Sequence, residues 1–230
     1  GIFYFICFLA FLFIFLLPIQ TALILREPKL NNEVWEYGKI NLYGVDLLAL
    51  VIFILWLINN FSIKSLNPAG LDLKKLPLYL LSLLFVSWSA LSILWAKDQL
   101  LALFWTVKLA EALAIFWLIL NLKINRQYLA LSLIGGAFLQ ALLASWQFFS
   151  QSTFAFKWLG LAFHDMSQAG TSVVETSSAR WLRAYGGLPH PNILGGFLMT
   201  GAALAATYYL GLLKKFTGPT INFKKLLAKI

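Results

Sequence analysis

The sequence predicts an all-α, polytopic membrane helix bundle with about six transmembrane helices and one long external loop. Three observations carry that reading. The 230 residues are 60% hydrophobic and 12% charged, with a mean hydropathy of +0.79, whereas a water-soluble domain carries about 25% charged residues. Six runs are long and apolar enough to be read as helices crossing a bilayer, a task that takes about 20 residues: 2–25, 45–61, 76–95, 100–122, 128–150 and 193–213. Finally, the basic residues gather in the connections between runs. None of the runs shows the strict alternation over about ten residues that a membrane β-barrel strand requires.

The first run, 2–25, opens without a basic segment, and its apolar stretch 2–17 exceeds the usual core of a signal peptide. It is read as a first membrane helix with Pro18 near its outer end. The connections at 62–75, 121–127 and 214–230 carry ten cations, Lys64, Lys74, Lys75, Lys123, Arg126, Lys214, Lys215, Lys224, Lys225 and Lys229, against the single acid Asp72. By the positive-inside rule that side is cytoplasmic. The opposite connections, 26–44, 96–99 and 151–192, hold seven cations and six acids (Glu27, Glu33, Glu36, Asp98, Asp165 and Glu175) and should face outward. Six spans put both termini in the cytoplasm. The formal charge of +9 is thereby accounted for by topology, and no nucleic-acid partner is implied. The chain reads as one membrane domain, 1–230, with the external loop 151–192 inside it.

That loop is far longer than the two to eight residues usual between bundle helices, so chemistry is expected there. In its second half Ser177 or Ser178 can cap a short helix that Gly186 and Gly187 end. Arg180 and Arg183 would then share a face at i,i+3, and paired guanidinium forks suit phosphate oxygens. The alternative is that both snorkel toward headgroups or pair with Glu175. His190 sits between Pro189 and Pro191 at the mouth of the last helix, with Asn192 as a candidate cap. The positive helix end disfavours an imidazolium there. A neutral His190 could donate to phosphate, accept a proton, or simply bond the loop backbone.

Inside the fourth run, Lys108 and Glu111 are an intramembrane polar pair, either a functional site facing a cavity or a structural i,i+3 ion pair. Gln140 and Gln147 in the fifth run are read as interhelical hydrogen-bonding groups. Gly195, Gly196, Thr200, Gly201 and Ala205 make a small-residue packing surface on the sixth. The tail 223–230 has the apolar spacing of an interfacial amphipathic helix or of the start of a further span. With one cysteine, Cys7, and few carboxylates in any external loop, no metal site or disulfide framework is evident. The phosphate-loop, dinucleotide, zinc-protease and serine-hydrolase motifs are absent.

The run Arg183-Ala184-Tyr185-Gly186-Gly187-Leu188-Pro189-His190-Pro191-Asn192 resembles the entry to a membrane helix in the O-antigen ligase and polymerase family, whose pattern is R-x-x-G-T-F-x-[HN]-P-N. A weaker echo of the same family is Ala90-Leu91-Ser92-Ile93-Leu94-Trp95-Ala96-Lys97-Asp98, which is similar to its S-x-x-W-[AS]-x-D stretch at the outer end of an earlier helix. The chain departs from the pattern at Gly187 and Leu188, where Thr and Phe are common, and Arg180 has no counterpart in it. Family members usually have ten or more spans and a second external loop with an acceptor-activating histidine, so the resemblance covers what looks like an N-terminal half.

The resemblance implies a bacterial plasma (inner) membrane glycosyltransferase of cell-envelope polysaccharide or lipopolysaccharide synthesis. Its partners would be a glycan on a polyprenyl (undecaprenyl) pyrophosphate, an acceptor hydroxyl on lipid or growing glycan, and membrane lipid, with no cofactor. On that reading Arg183 and His190 are catalytic, and Arg183 with Arg180 binds the pyrophosphate. A transporter using Lys108 and Glu111, or a structural membrane subunit, are the competing readings.

Overall fold

The structure, a computed structural model, describes residues 1–30, 33–35, 38–62, 75–122, 124–168, 170–177 and 179–217. Lys64, Asp72, Lys74, Lys123, Lys224, Lys225, Lys229, Glu36, Ser178 and the tail 223–230 lie outside them. Six α-helices dominate: α1 (Ile2–Leu16), α2 (Gly44–Ser62), α3 (Leu76–Ser92), α4 (Gln99–Asn121), α5 (Arg126–Ser150) and α6 (Pro191–Thr217). Four of the helical segments, Leu76–Trp95, Gln99–Asn121, Arg126–Ser150 and Pro191–Leu213, are long and apolar enough to cross a membrane, and α1 and α2 give shorter apolar helices. The class is therefore helical and membrane-type, as the composition requires.

The first apolar run departs from expectation. Its helix stops at Leu16, and residues 22–26 form a strand instead. Pro18 has no amide to donate and its ring clashes with the preceding turn, so the chain turns, with the Ile19 amide donating to the Leu16 carbonyl at 2.9 Å. The strand β1 (Ala22–Arg26) then pairs antiparallel with β4 (Ile40–Tyr43), Ala22 opposite Tyr43 and Leu23 opposite Leu42. The connection between them holds a second small ladder, β2 (Lys29–Leu30) with β3 (Glu33–Val34). A run of aliphatic residues cannot by itself distinguish strand from helix; the proline decides it here.

The chain divides into two compact units, one of residues 1–13 and 21–124, the other of 14–20 and 125–230. In the first, Ile6 and Leu9 of α1, Ile52 of α2 and Leu118 of α4 make the buried apolar cluster. Helices α3 and α4 are tied by polar rungs: Trp117 Nε1 donates to Ser82 Oγ at 3.3 Å, and the Ser89 and Thr106 hydroxyls lie 3.0 Å apart. Such bonds replace the missing hydrophobic drive between helices in lipid. Asp98 caps α4 by accepting the Leu101 amide at 3.0 Å and is gripped by Arg26 Nη1 at 2.7 and 3.0 Å. The Leu101 amide, helped by Arg26, holds the Asp98 carboxyl below its ordinary range. In the sequence Asp98 was part of the weaker family echo; in the fold it is a helix cap.

The second unit is built on α5 packed against α6. The expected small-residue contact is present at Gly201, which faces Ala137 so closely that any side chain on it would strike the alanine methyl. Gly136 admits the last turn of α1 in the same way, since a Cβ there would stand 2.7 Å from the Phe15 carbonyl oxygen. Because that obstacle is backbone, Gly136→Ala should destabilise the protein by about 1–3 kcal/mol, read as a lowered unfolding midpoint in detergent; an unchanged midpoint would show that the approach can relax.

Candidate functional site

The second unit places the segment Leu182–Gly187 against α5 through three glutamines. Gln147 accepts the amides of Tyr185 (2.9 Å) and Gly186 (2.7 Å) and donates to the Gly186 carbonyl (2.9 Å). Gln140 accepts the Gly187 amide at 2.7 Å, and Gln151 accepts that of Leu182 at 2.8 Å. A spacing of seven residues puts Gln140 and Gln147 on one helix face, and Gln151 follows as the left-handed cap of α5, with a φ of 51°. They bind a loop, so the expectation of helix-to-helix bonds for Gln140 and Gln147 is corrected. Gln140 lies about 15 Å along the axis from the end of α5, so the segment re-enters the bundle well below the helix end. Gly186 is required there: its φ is +59°, and a Cβ would meet Gln140 Oε1 at 2.6 Å and Leu194 at 2.9 Å.

The segment before it is a β-hairpin, and the helix expected over 177–187 is corrected. Strand β5 (Val173–Glu175) pairs with β6 (Arg180–Leu182), Val174 opposite Trp181 and Glu175 opposite Arg180. Adjacent valines and a tryptophan favour pleated structure, and the Thr176 hydroxyl closes the turn on both the Ala179 amide and carbonyl, at 3.0 and 2.9 Å. Arg180 is consequently not beside Arg183. Its Nε lies 3.3 Å from Glu175 Oε1, on an exposed rung, as the alternative reading of this arginine had it.

Arg183 has a different environment. Nη2 donates to Asn192 Oδ1 at 2.7 Å and Nη1 to Ser172 Oγ at 3.2 Å. Both acceptors are neutral, so the guanidinium is oriented while no carboxylate among the described residues pairs with its charge. Asn192 was expected to cap α6; the helix instead begins at Pro191, suited to the first helical position. The His190 carbonyl takes the Ile193 and Leu194 amides at 3.0 and 3.1 Å, which frees the Asn192 side chain to hold Arg183. His190 is exposed, and its Nδ1 accepts the Asn192 amide at 3.1 Å, so Nε2 is the nitrogen left for a ligand. Arg183, Asn192 and His190 thus meet at the start of α6.

Beside them lies a cavity of about 510 Å³ lined by Phe148, Val174, Trp181, Leu182, Ala184, Pro191, Leu194, Gly195 and Leu198, with Arg183 its one charged lining residue. An apolar groove with a cation at its edge suits an amphiphile with an anionic head. No group of three potential metal ligands occurs among the described residues.

Behind Arg183, Tyr185 is 4% exposed. Its hydroxyl accepts the Ser172 amide at 2.7 Å, and its ring stacks on the His164 imidazole at 3.7 Å. Burial lowers the His164 pKa from its ordinary 6.5. Sequence reading passed over His164, Ser172 and Gln151; only the heptad spacing of Gln140 and Gln147 signalled a shared face.

Lys108 and Glu111 belong to the first unit. They do pair, at 3.7 Å, but Lys108 makes its closer ion pair with Asp46, in the first turn of α2. Asp46 also accepts the Tyr43 amide at 2.7 Å, and the lysine nitrogen sits 5.3 Å from the Tyr43 ring centroid. Asp46 was missed because it reads as a residue at the edge of a span.

Replacing Gln147 with leucine would leave buried amides unpaired at Tyr185 and Gly186, and a loss of about 2–5 kcal/mol is expected. Faster protease cleavage between 165 and 190, with a lower unfolding midpoint, would register it; wild-type resistance would refute the anchoring role. For His164, a depressed folded pKa means that the unfolded chain binds the proton more readily. Its contribution is complete above about pH 6.5 and declines as pH falls below that value toward the folded pKa. His164→Phe keeps the stack without the titration and should flatten the fall in unfolding midpoint as the pH drops below about 6.5; equal slopes for both proteins would count against it.

Compared with known proteins, the chain matches no family model, no curated protein and no solved structure.

Proposed function

We propose that the protein is an O-antigen ligase-like glycosyltransferase of the bacterial plasma membrane. It moves a glycan from a polyprenyl pyrophosphate to an acceptor hydroxyl, on lipid or on a growing polysaccharide, at the outer face. The single observation that supports this best is Arg183: a guanidinium aimed by two neutral acceptors at the edge of an apolar cavity. A polyprenyl chain is matched by the cavity walls and the diphosphate by the fork. In this reading all six helices enter the bilayer, with both termini cytoplasmic and 151–192 outside.

The chemistry asks little beyond electrostatics. The acceptor oxygen bonds to the anomeric carbon as the bond from that carbon to the pyrophosphate oxygen breaks; the electron pair leaves with the diphosphate and the hydroxyl proton is released. A preorganised cation stabilises the charge that develops on the leaving group. In this reading His190, whose Nδ1 accepts the Asn192 amide, uses Nε2 either to bond a phosphate oxygen or to take the proton. Arg180, engaged with Glu175, is left out of the clamp. The transport alternative draws no comparable support, since Lys108 already has a carboxylate partner in Asp46.

Transfer from a polyprenyl-pyrophosphate glycan, assayed in membranes containing the full-length protein, should fall about 100-fold or more for Arg183→Lys, which keeps charge and loses the fork. Arg180→Ala should stay within about twofold of wild type. Normal transfer by Arg183→Lys would remove the proposal.

A further inference from the structure

Residues 153–164, between α5 and the Arg183 hairpin, form a closed loop with an apolar exterior. Its base is stapled where the His164 amide donates to Thr153 Oγ1 at 2.7 Å. Higher up, Phe156 and Leu161 exchange backbone hydrogen bonds of 3.0 and 3.1 Å around a tight turn, which Gly160 completes with a φ of +66°. Thr153 and Leu161 point inward and are buried, Leu161 against Gly187. The outward residues are Phe154, Phe156, Trp158, Leu159 and Phe163, with Trp158 74% and Phe163 60% exposed. This backbone is well tied down, so the exposure belongs to an ordered surface.

Two features say what covers it. The first is continuity: the Phe154 ring packs edge-on against Trp146 of α5 at 5.5 Å, and Trp146 and Phe149, neighbours at i,i+3, carry an exposed apolar face of α5 up to its end. The face of a spanning helix lies against acyl chains, so a surface that prolongs it at the helix end lies at the boundary of acyl chains and headgroups. The second is chemistry. Within 153–163 the charge is a single lysine, Lys157, and there is no acid. Aromatic rings with a neighbouring cation are the composition of the membrane interface, where rings sit at headgroup level and the ammonium meets lipid phosphate.

We propose that the 153–164 loop is a monotopic anchor seated in the interfacial layer of the same bilayer leaflet at which α5 ends. Its partner is the lipid surface. Through Leu161 the anchor rests on Gly187, so it also braces the segment that carries Arg183. The inference needs α5 to cross the bilayer and is independent of glycosyl transfer.

Nitroxide labels read the depth directly. In a Cys7→Ser background, Trp158→Cys, Leu159→Cys and Phe163→Cys would be labelled in the full chain, reconstituted in phosphatidylethanolamine and phosphatidylglycerol vesicles. Ser177→Cys, in the exposed turn of the β5–β6 hairpin, is the aqueous control. The expected result is a ratio of oxygen to water-soluble nickel-chelate collisions several-fold higher at 158, 159 and 163 than at 177. Three positions keep the test decisive if one variant does not fold. Equal ratios at all four sites would overturn the proposal, as would spin–spin broadening at 158 that vanishes on dilution with unlabelled protein, which would assign the surface to a second copy.

Discussion

Backbone that enters a membrane bundle without regular structure must find partners for its amides inside the protein, because hydrocarbon supplies none. Gln140, Gln147 and Gln151 meet that demand for Leu182, Tyr185, Gly186 and Gly187. A glutamine amide is well suited, since its oxygen can accept two backbone donors while its nitrogen returns a bond to a carbonyl, as Gln147 does. With those donors satisfied, the chain can turn at Gly186 inside the bundle and begin α6 below the end of α5. The positions of His190, Asn192 and Arg183 all follow from that turn.

Arg183 and Lys108 show how differently two cations of a helical membrane protein are treated. Lys108 has Asp46 and Glu111 beside it and an aromatic ring over it, so its charge is consumed in holding α4 to the start of α2. Arg26 and Asp98 repeat the pattern at the start of α4. Arg183 is surrounded by an amide oxygen and a hydroxyl. Neutral acceptors fix direction without cancelling charge, which leaves the field of the guanidinium available to an anion. The adjoining wall of leucine, valine and tryptophan is apolar, and a lower local polarity strengthens that field.

The 153–164 loop adds support from the other side. Its inward leucine touches Gly187 and its His164 stacks on Tyr185, so the re-entrant segment is held by α5 on one flank and by the loop on the other. Gly187 gives its amide to Gln140, and its missing side chain makes room for Leu161.

The linear sequence determined the helices that lipid demands. An apolar run of about 20 residues is a local property, and the expected runs 45–61, 76–95, 100–122, 128–150 and 193–213 agree as helices with α2 to α6 within a few residues, the last four being long and apolar enough to cross a membrane. It also singled out Arg183 and His190, since arginine and a proline-flanked histidine at a helix entrance are local features. Tertiary structure decided the rest. Pro18 ends the first helix locally, but that the aliphatic stretch 22–26 became a strand depended on a partner 14 to 21 residues away. Whether 177–183 was helix or hairpin depended on pairing with Val173 and Val174. That Arg183 meets Asn192, Lys108 meets Asp46 and Gln147 meets Gly186 is contact between positions up to 62 residues apart, and such contacts exist only once the chain has closed on itself.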